Sequence, residues 1–541
     1  MWHIKNKTFF CFQPTILAVL VLIFVFLFTV KGINSVNGVF SFWGYGDAQM
    51  LNAAINFAND GFLNHHFLPL VNPGSPHNLI ENNGPNGRYF HYPALHATLL
   101  GFIFTIINFF QKINQLDPES LKNIAQSCFS LISLFGMYIF FTYIKKSTNS
   151  YFAFFSLILF LFSGWYANFG YSLCDQPLAF LFLVLDLYVI QKIINYQIIR
   201  KIRSPLFDLT LIFFICFFAS MNSIETPIIL FFVNTFSLLY FRYHKNKEVS
   251  LLPIYLTFIS IFIALSLHFF QGFLEFDSLD LFFKHWHYVA TNKFNPIEVG
   301  SLSLIIQSIQ SVPRYFLLFS TLCLITLIKI CQKPFSNSLL YISAVLTLAY
   351  FLSISILFFL IPKQMLAMSP YSIFYIYQAT FMAASISLYY YFYKAFQKKL
   401  CKWNLTLGLA IALFSIIYFC AQVSKLHKGP LFRSIFDGSQ NFAMYGDRPK
   451  GFLTKVGVDR LSELRLTTSP NSLLITPIDL SGNSTLETIS FFEFYTQRHS
   501  IPFVFGEDAN FCLILNKRIF EIGDIYILDN KLKIRSKVMC N

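Results

Sequence analysis

The chain has 541 residues, of which 55% are hydrophobic, 19% aromatic and only 12% charged, and its mean hydropathy is +0.56. Soluble domains carry about 25% charged residues, so this balance excludes a soluble enzyme as the whole molecule. The net charge of +14 requires no nucleic-acid partner, because Lys and Arg cluster between apolar segments, as they do on the cytoplasmic side of membrane proteins.

Thr15 to Val30 is the first apolar helix. No small-residue cleavage site follows it, so an anchor with Lys5 and Lys7 in the cytoplasm is expected rather than a cleaved leader. Further basic groups are Lys145/Lys146, Lys192 with Arg200/Lys201/Arg203, Arg242 with Lys245/Lys247, Lys329/Lys333 and Lys394/Lys398/Lys399/Lys402. Keeping every group on one side requires an even number of crossings between neighbours. Apolar runs near 121–144, 151–168, 177–195, 207–223, 226–241, 251–270, 313–331, 337–360, 371–391 and 404–422 supply them, each close to the roughly 20 residues that cross a bilayer. The expectation is a polytopic α-helical membrane protein of about eleven spans. Residues 93–110 are also apolar, but counting them as a span would place Lys145/Lys146 outside and separate Asp175 from Asp47. They are expected as a membrane-embedded helix with both ends facing outward.

This topology puts 35–120, 169–176, the turn near 224, 271–312, 361–370 and 423–541 outside the cytoplasm. Two units follow: a membrane unit over 1–422, with 35–120 as its first outer loop, and a soluble unit over 423–541. In the latter, Leu473-Leu474-Ile475 and Pro502-Phe503-Val504-Phe505 read as strands around an amphipathic helix near 484–497. Further strands near 511–515 and 524–528 would complete a small α/β fold. Cys512 and Cys540 could pair there in an oxidising compartment.

Asp47 lies in Phe42-Trp43-Gly44-Tyr45-Gly46-Asp47-Ala48-Gln49. It either caps a helix beginning near Ala48 or serves as a general base or metal ligand, tuned by its aromatic neighbours. Asp175, in Tyr171-Ser172-Leu173-Cys174-Asp175-Gln176-Pro177, has the same two readings, with Pro177 an early helix residue. Glu225, in Asn222-Ser223-Ile224-Glu225-Thr226-Pro227, either binds substrate or caps its helix. Asp186, in mid-span, is functional or satisfied by another helix. Outer basic candidates are Arg88, Lys284, His285, His287, Arg314 and Lys363; Lys363 contacts a phosphate or snorkels. Lys284-His285-Trp286-His287-Tyr288 is either a sugar-stacking cluster or part of the interfacial aromatic belt.

The first outer loop, with Asp47, Asn52-Ala53-Ala54, Asn59-Asp60-Gly61 and Tyr89-Phe90-His91-Tyr92-Pro93, resembles the GT-C superfamily of polyprenyl-phosphate-sugar-dependent glycosyltransferases, and so does the second, with Tyr171-Ser172 and Asp175-Gln176-Pro177. That clan includes protein mannosyltransferases and the aminoarabinose transferase of lipid A. The likeness covers about residues 10–230 well. It implies a base or acceptor-binding carboxylate at Asp47 and a second acid at Asp175, the two being candidate ligands of a divalent cation (Mg or Mn). It further implies a polyprenyl-phosphate-linked sugar donor, with Asp175, Lys363 and Arg88 near the donor phosphate. Tyr45, His91, Tyr92, Tyr171, Glu225, His285 and His287 are candidate substrate contacts. Two departures stand out: Asp47-Ala48 where many relatives have adjacent acids, and Tyr92-Pro93-Ala94 where many read Tyr-Pro-Pro. The expected function is inverting sugar transfer to a lipid, glycan or protein. The Phe-, Ile-, Lys- and Asn-rich composition points to an AT-rich bacterial genome, and so to an inner membrane with the site facing the periplasm. The rival classes are a secondary transporter, whose polar groups should gather at the midplane, and a surface-polysaccharide polymerase or ligase.

Overall fold

The computed structural model of the protein describes residues 13–35, 38–41, 44–70, 93–200, 205–244, 249–276, 278–284, 287, 314–333, 338–360, 369–397, 402–426, 455–469, 472–477, 485–503, 524–528 and 533–538. Long apolar runs become helices because hydrocarbon offers no partner to a backbone N–H or C=O, and a helix satisfies both internally. Helix α1 (Pro14–Ser35) leads into a loop that carries α2 (Gly44–Asp60) and α3 (Leu95–Phe110). The bundle continues with α4 (Pro118–Ser147), α5 (Ser150–Leu161), α6 (Gly164–Phe169), α7 (Gln176–Asn195), α8 (Leu206–Ser220) and α9 (Glu225–His244). It closes with α10 (Leu252–Phe273), α11 (Arg314–Gln332), α12 (Ser338–Leu360), α13 (Ser369–Phe396) and α14 (Lys402–Leu426). Each expected span coincides with a helix except 151–168, which is two helices, α5 and α6, parted at Ser163. Among the described residues, Pro14–Ser35, Pro118–Ser147, Gln176–Arg200, Leu252–Phe273 and Ser338–Leu357 are long and apolar enough to cross a bilayer.

The bundle has two chemically distinct ends. At one, Lys145 Nζ donates to Thr15 Oγ1 (2.8 Å) and Lys192 Nζ to Asp208 Oδ1 (2.7 Å). There Gln191 Nε2 also donates to both Ser147 Oγ (2.8 Å) and Ser343 Oγ (2.6 Å). At the other end lie Asp47, Asp175 and Glu225. Between them, Asp186 of α7 accepts from Asn234 Nδ2 of α9 (3.2 Å), which also reaches Thr257 Oγ1 of α10 (3.1 Å). That mid-span acid is thus tied to polar groups on two other helices.

Helix α3 keeps both ends at the carboxylate end of the bundle. The Leu95 amide donates to the Met221 carbonyl (2.8 Å), just beyond α8. Its far end returns to α2 through Asn108 Nδ2 and the Ala58 carbonyl (3.0 Å). The α2–α3 contact depends on Gly101, where an added Cβ would come within 2.9 Å of the Phe57 ring.

Among the described residues a four-stranded sheet follows the bundle, in the order β2 (His499–Phe503), β1 (Leu473–Pro477), β3 (Ile525–Leu528), β4 (Ile534–Val538). Strand β1 runs parallel to β2 and β3, and β4 is antiparallel to β3. Helices α15 (Lys455–Thr467) and α16 (Thr485–Thr496) accompany it, α16 making the crossover that parallel strands require. The strand expected near 511–515, and Cys512 and Cys540, lie outside the described residues. Strand β4 was not foreseen, although Leu532, Ile534 and Val538 alternate with Lys533, Arg535 and Lys537 in the pattern of a charged edge strand.

The sheet unit is docked on the first loop. Phe491, Phe492, Phe494 and Tyr495 of α16 share one apolar core with Phe40, Leu51 and Ala54. At its centre is a buried ion pair between Lys122 and Glu119, on the first turns of α4. Glu119 Oε1 also accepts from the Gly38 amide (2.5 Å) and from the Tyr495 hydroxyl (2.6 Å). Removing one partner of a buried pair strands the other charge, at a cost of about 3–5 kcal/mol. Lys122→Met should therefore lower thermal stability in detergent sharply. The double variant Lys122→Met/Glu119→Gln should recover most of the loss.

Candidate active site

Asp47 sits in the first turn of α2, because that helix starts at Gly44 and not near Ala48 as the cap reading required. Its carboxylate is fully buried and turns back out of the helix. Oδ2 accepts from the Ser41 amide (3.0 Å). Oδ1 accepts from the Leu173 amide (2.8 Å) and the Ser172 hydroxyl (3.0 Å), both on the loop between α6 and α7. One carboxylate thus joins the two loops that carry the acids. Burial pushes the Asp47 carboxyl up to about 6, against the donors Ser41, Leu173 and Ser172, which favour its charged form.

Asp175 follows two residues after Leu173. It occupies the N-cap position of α7, yet its side chain makes no capping hydrogen bond. Its carboxyl is pushed up to about 8, first by burial and then by the negative charge of Glu225. Cys174 reports on both acids: its thiol is driven well above the usual range by burial first, then by Asp47 and Asp175. Asn222 fastens the next loop to this one, its Nδ2 donating to the Asp175 carbonyl (3.0 Å) while its Oδ1 faces His96 Nδ1 (3.3 Å). Thr226 Oγ1, beside Glu225, meets the Tyr375 hydroxyl of α13 (3.2 Å). The result is three carboxyls carried on neighbouring loops, with His96, Asn222 and Tyr375 tied to those loops.

No protein-family model matches the chain, and no curated relative does. Solved structures match over most of its length. ArnT from Cupriavidus metallidurans, in a structure bound to undecaprenyl phosphate, has 11% identity and a TM-score of 0.54, covering 94% of this chain and 93% of its own. The oligosaccharyltransferase of Archaeoglobus fulgidus, without ligand, has 13% identity and a TM-score of 0.52, covering 92% of this chain. This is the GT-C fold. The chain spans 65% of the length of the archaeal enzyme.

Within the GT-C fold, the carboxyls of Asp47, Asp175 and Glu225 are drawn to one end of the bundle. Tyr171 is buried and donates to the Phe40 carbonyl (3.3 Å), so it packs the two acid-bearing loops together. Behind it, Gly170 lets the Tyr166 ring close in, since a Cβ there would come within 2.3 Å of the ring. Lys284 pairs with Asp280 on the surface (2.6 Å), and His287 is exposed. Arg88, His91, Tyr92, His285 and Lys363 lie outside the described residues, as do the side chains of Tyr45 and Arg314. Ser41, Ser172 and Leu173 were missed as partners of Asp47. Two of those bonds come from backbone amides, which any residue supplies, and only the hydroxyls of Ser41 and Ser172 left a trace in the sequence.

Among the described residues no three His, Cys, Asp or Glu side chains converge on a metal position. Asp175 and Glu225 repel one another, which helps to raise the Asp175 carboxyl, while the Asp47 oxygens are taken by protein donors. Glu225→Gln removes the like charge and should lower the Asp175 pKa from about 8. The check is infrared titration of the protonated-carboxyl band that Asp175→Asn abolishes, which should move to lower pH in Glu225→Gln.

Proposed function

We propose that the chain is an integral-membrane glycosyltransferase that moves a sugar from a polyprenyl-phosphate donor to an acceptor hydroxyl with inversion. The reading is supported by a GT-C bundle that gathers Asp47, Asp175 and Glu225 at one end and Lys145, Lys146 and Lys192 at the other. With the basic end in the cytoplasm, the acids face the periplasm of a bacterial inner membrane, where lipid-linked sugars are presented. The solved ArnT structure holds undecaprenyl phosphate, a donor carrier of the proposed class.

In this reading Asp47 is the general base. Ionised above about pH 6, it takes the acceptor hydroxyl proton as the oxygen attacks the anomeric carbon. The bond from that carbon to the phosphate oxygen breaks, and its electron pair leaves with the polyprenyl phosphate. Ser172 and Leu173 hold the carboxylate in place. The Ser41 hydroxyl, also hydrogen-bonded to Asp47 and turning on one rotatable bond, is the donor that an acceptor hydroxyl would displace. Asp175, protonated up to about pH 8, donates a hydrogen bond to the donor phosphate. A divalent cation (Mg or Mn) held by Asp175 and Glu225 would instead offset the charge of the leaving phosphate. Arg88, Lys363, His285 and His287 are proposed phosphate and sugar contacts, and Tyr45, His91 and Tyr92 line the acceptor side. Hexosyl and pentosyl donors both suit this scheme. The transporter reading is disfavoured, since Asp186, the mid-span acid, sits on the unbroken α7 and is bonded to Asn234.

The test uses purified protein, undecaprenyl-phosphate-linked sugars and an envelope lipid extract as the acceptor pool. Wild type should release free undecaprenyl phosphate, at a rate that falls as pH drops below about 6. Asp47→Asn should lower the rate by about 10²–10⁴-fold at temperatures where the variant is still folded. Equal release by both proteins would remove Asp47 from the chemistry.

A further inference from the structure

The sheet unit after α14 touches the first loop at a point that bears on Asp47. Residues Gly38 to Ser41 are gripped three times within four positions. The Gly38 amide donates to Glu119 Oε1 (2.5 Å). The Phe40 ring stands edge-on to Phe491 (5.0 Å), Phe494 and Tyr495 (both 6.3 Å), with the Lys122 ammonium 5.2 Å from its centre. The Ser41 amide then donates to Asp47 Oδ2. Tyr495 closes the circuit, since its hydroxyl donates to the same Glu119 oxygen that holds Gly38 (2.6 Å). A second tie, Asn52 Nδ2 to the Ser490 carbonyl (2.9 Å), fixes α2 itself to α16.

We propose that Tyr495, acting through Glu119 and the Gly38–Ser41 segment, is a positioning residue for Asp47, so that the C-terminal sheet unit is a strut of the active site. The inference rests on the reading of Asp47 as base. Neither Tyr495 nor Glu119 bonds to Asp47 directly. They fix the backbone from which one of its donors projects. A base displaced by a fraction of an ångström loses its alignment with the acceptor, and misplacement near 1 Å can cost about a hundredfold in rate. The Tyr495 hydroxyl suits the test because Tyr495→Phe keeps the ring against Phe40 and removes only the bond to Glu119.

The experiment compares wild type, Tyr495→Phe and Lys537→Ala in two assays. Lys537, on the edge strand β4 and paired with Asp524, controls for unrelated change in the sheet unit. The first assay is initial-rate release of undecaprenyl phosphate against donor concentration. The second is hydrogen exchange of the peptide covering residues 38–51. Tyr495→Phe should lower kcat roughly tenfold with KM within twofold, and exchange over 38–51 should quicken while β1 stays protected. Lys537→Ala should do neither. Wild-type kcat in Tyr495→Phe would overturn the proposal, as would a fall in kcat with unchanged exchange over 38–51. If wild type itself releases no undecaprenyl phosphate, the proposed function fails and exchange alone decides. Faster exchange over 38–51 in Tyr495→Phe would then uphold the strut, and unchanged exchange would reject it.

Discussion

A carboxylate withdrawn from water must be given back its hydrogen bonds, and the fold around Asp47 is organised by that requirement. The donors come from two places far apart in the chain, Ser41 ahead of α2 and Ser172–Leu173 ahead of α7. Burial alone would cost several kcal/mol for an unpaired ion; the donors offset much of that and leave a carboxyl that titrates near 6. The same bonds bring the acid-bearing loops into register. Asp175 and Glu225 then fall beside one another at the end of the bundle away from its lysines.

The second constraint is the dock between the sheet unit and the first loop. Lys122 and Glu119 are buried at the base of α4, under an aromatic layer from α16. A buried ion pair is weak evidence for stability and better evidence for register. Here it fixes where the chain leaving α1 turns toward Asp47. Membrane bundle and sheet are therefore mechanically continuous at this point, and a change in α16 reaches the carboxylate through four residues.

The helices were legible because a bilayer enforces a long apolar run, and the basic groups could be read against it. Charge sidedness, a global constraint that survives weak local signals, led both ends of α3 to be expected on one side, and both lie at the carboxylate end of the bundle. The break at Ser163 was not legible, since Ser163-Gly164-Trp165 interrupts an otherwise continuous apolar run by one small polar residue. Asp47, Asp175 and Glu225 could be singled out because acids beside membrane spans are costly and few. Their partners could not. Backbone amides carry no residue signature, and Glu119, Lys122 and Tyr495 lie up to 376 positions apart, with nothing local to say that they meet.

The central claim is that the carboxylate end of this GT-C bundle receives a lipid-phosphate-linked sugar. The most direct measurement is a cryo-electron microscopy map of the protein in lipid nanodiscs with a non-cleavable undecaprenyl phosphonate sugar analogue. The account predicts phosphonate density beside Asp175 and Glu225, with the sugar directed toward Asp47. Density at the opposite end among Lys145, Lys146 and Lys192, or within the bundle at Asp186, would contradict it.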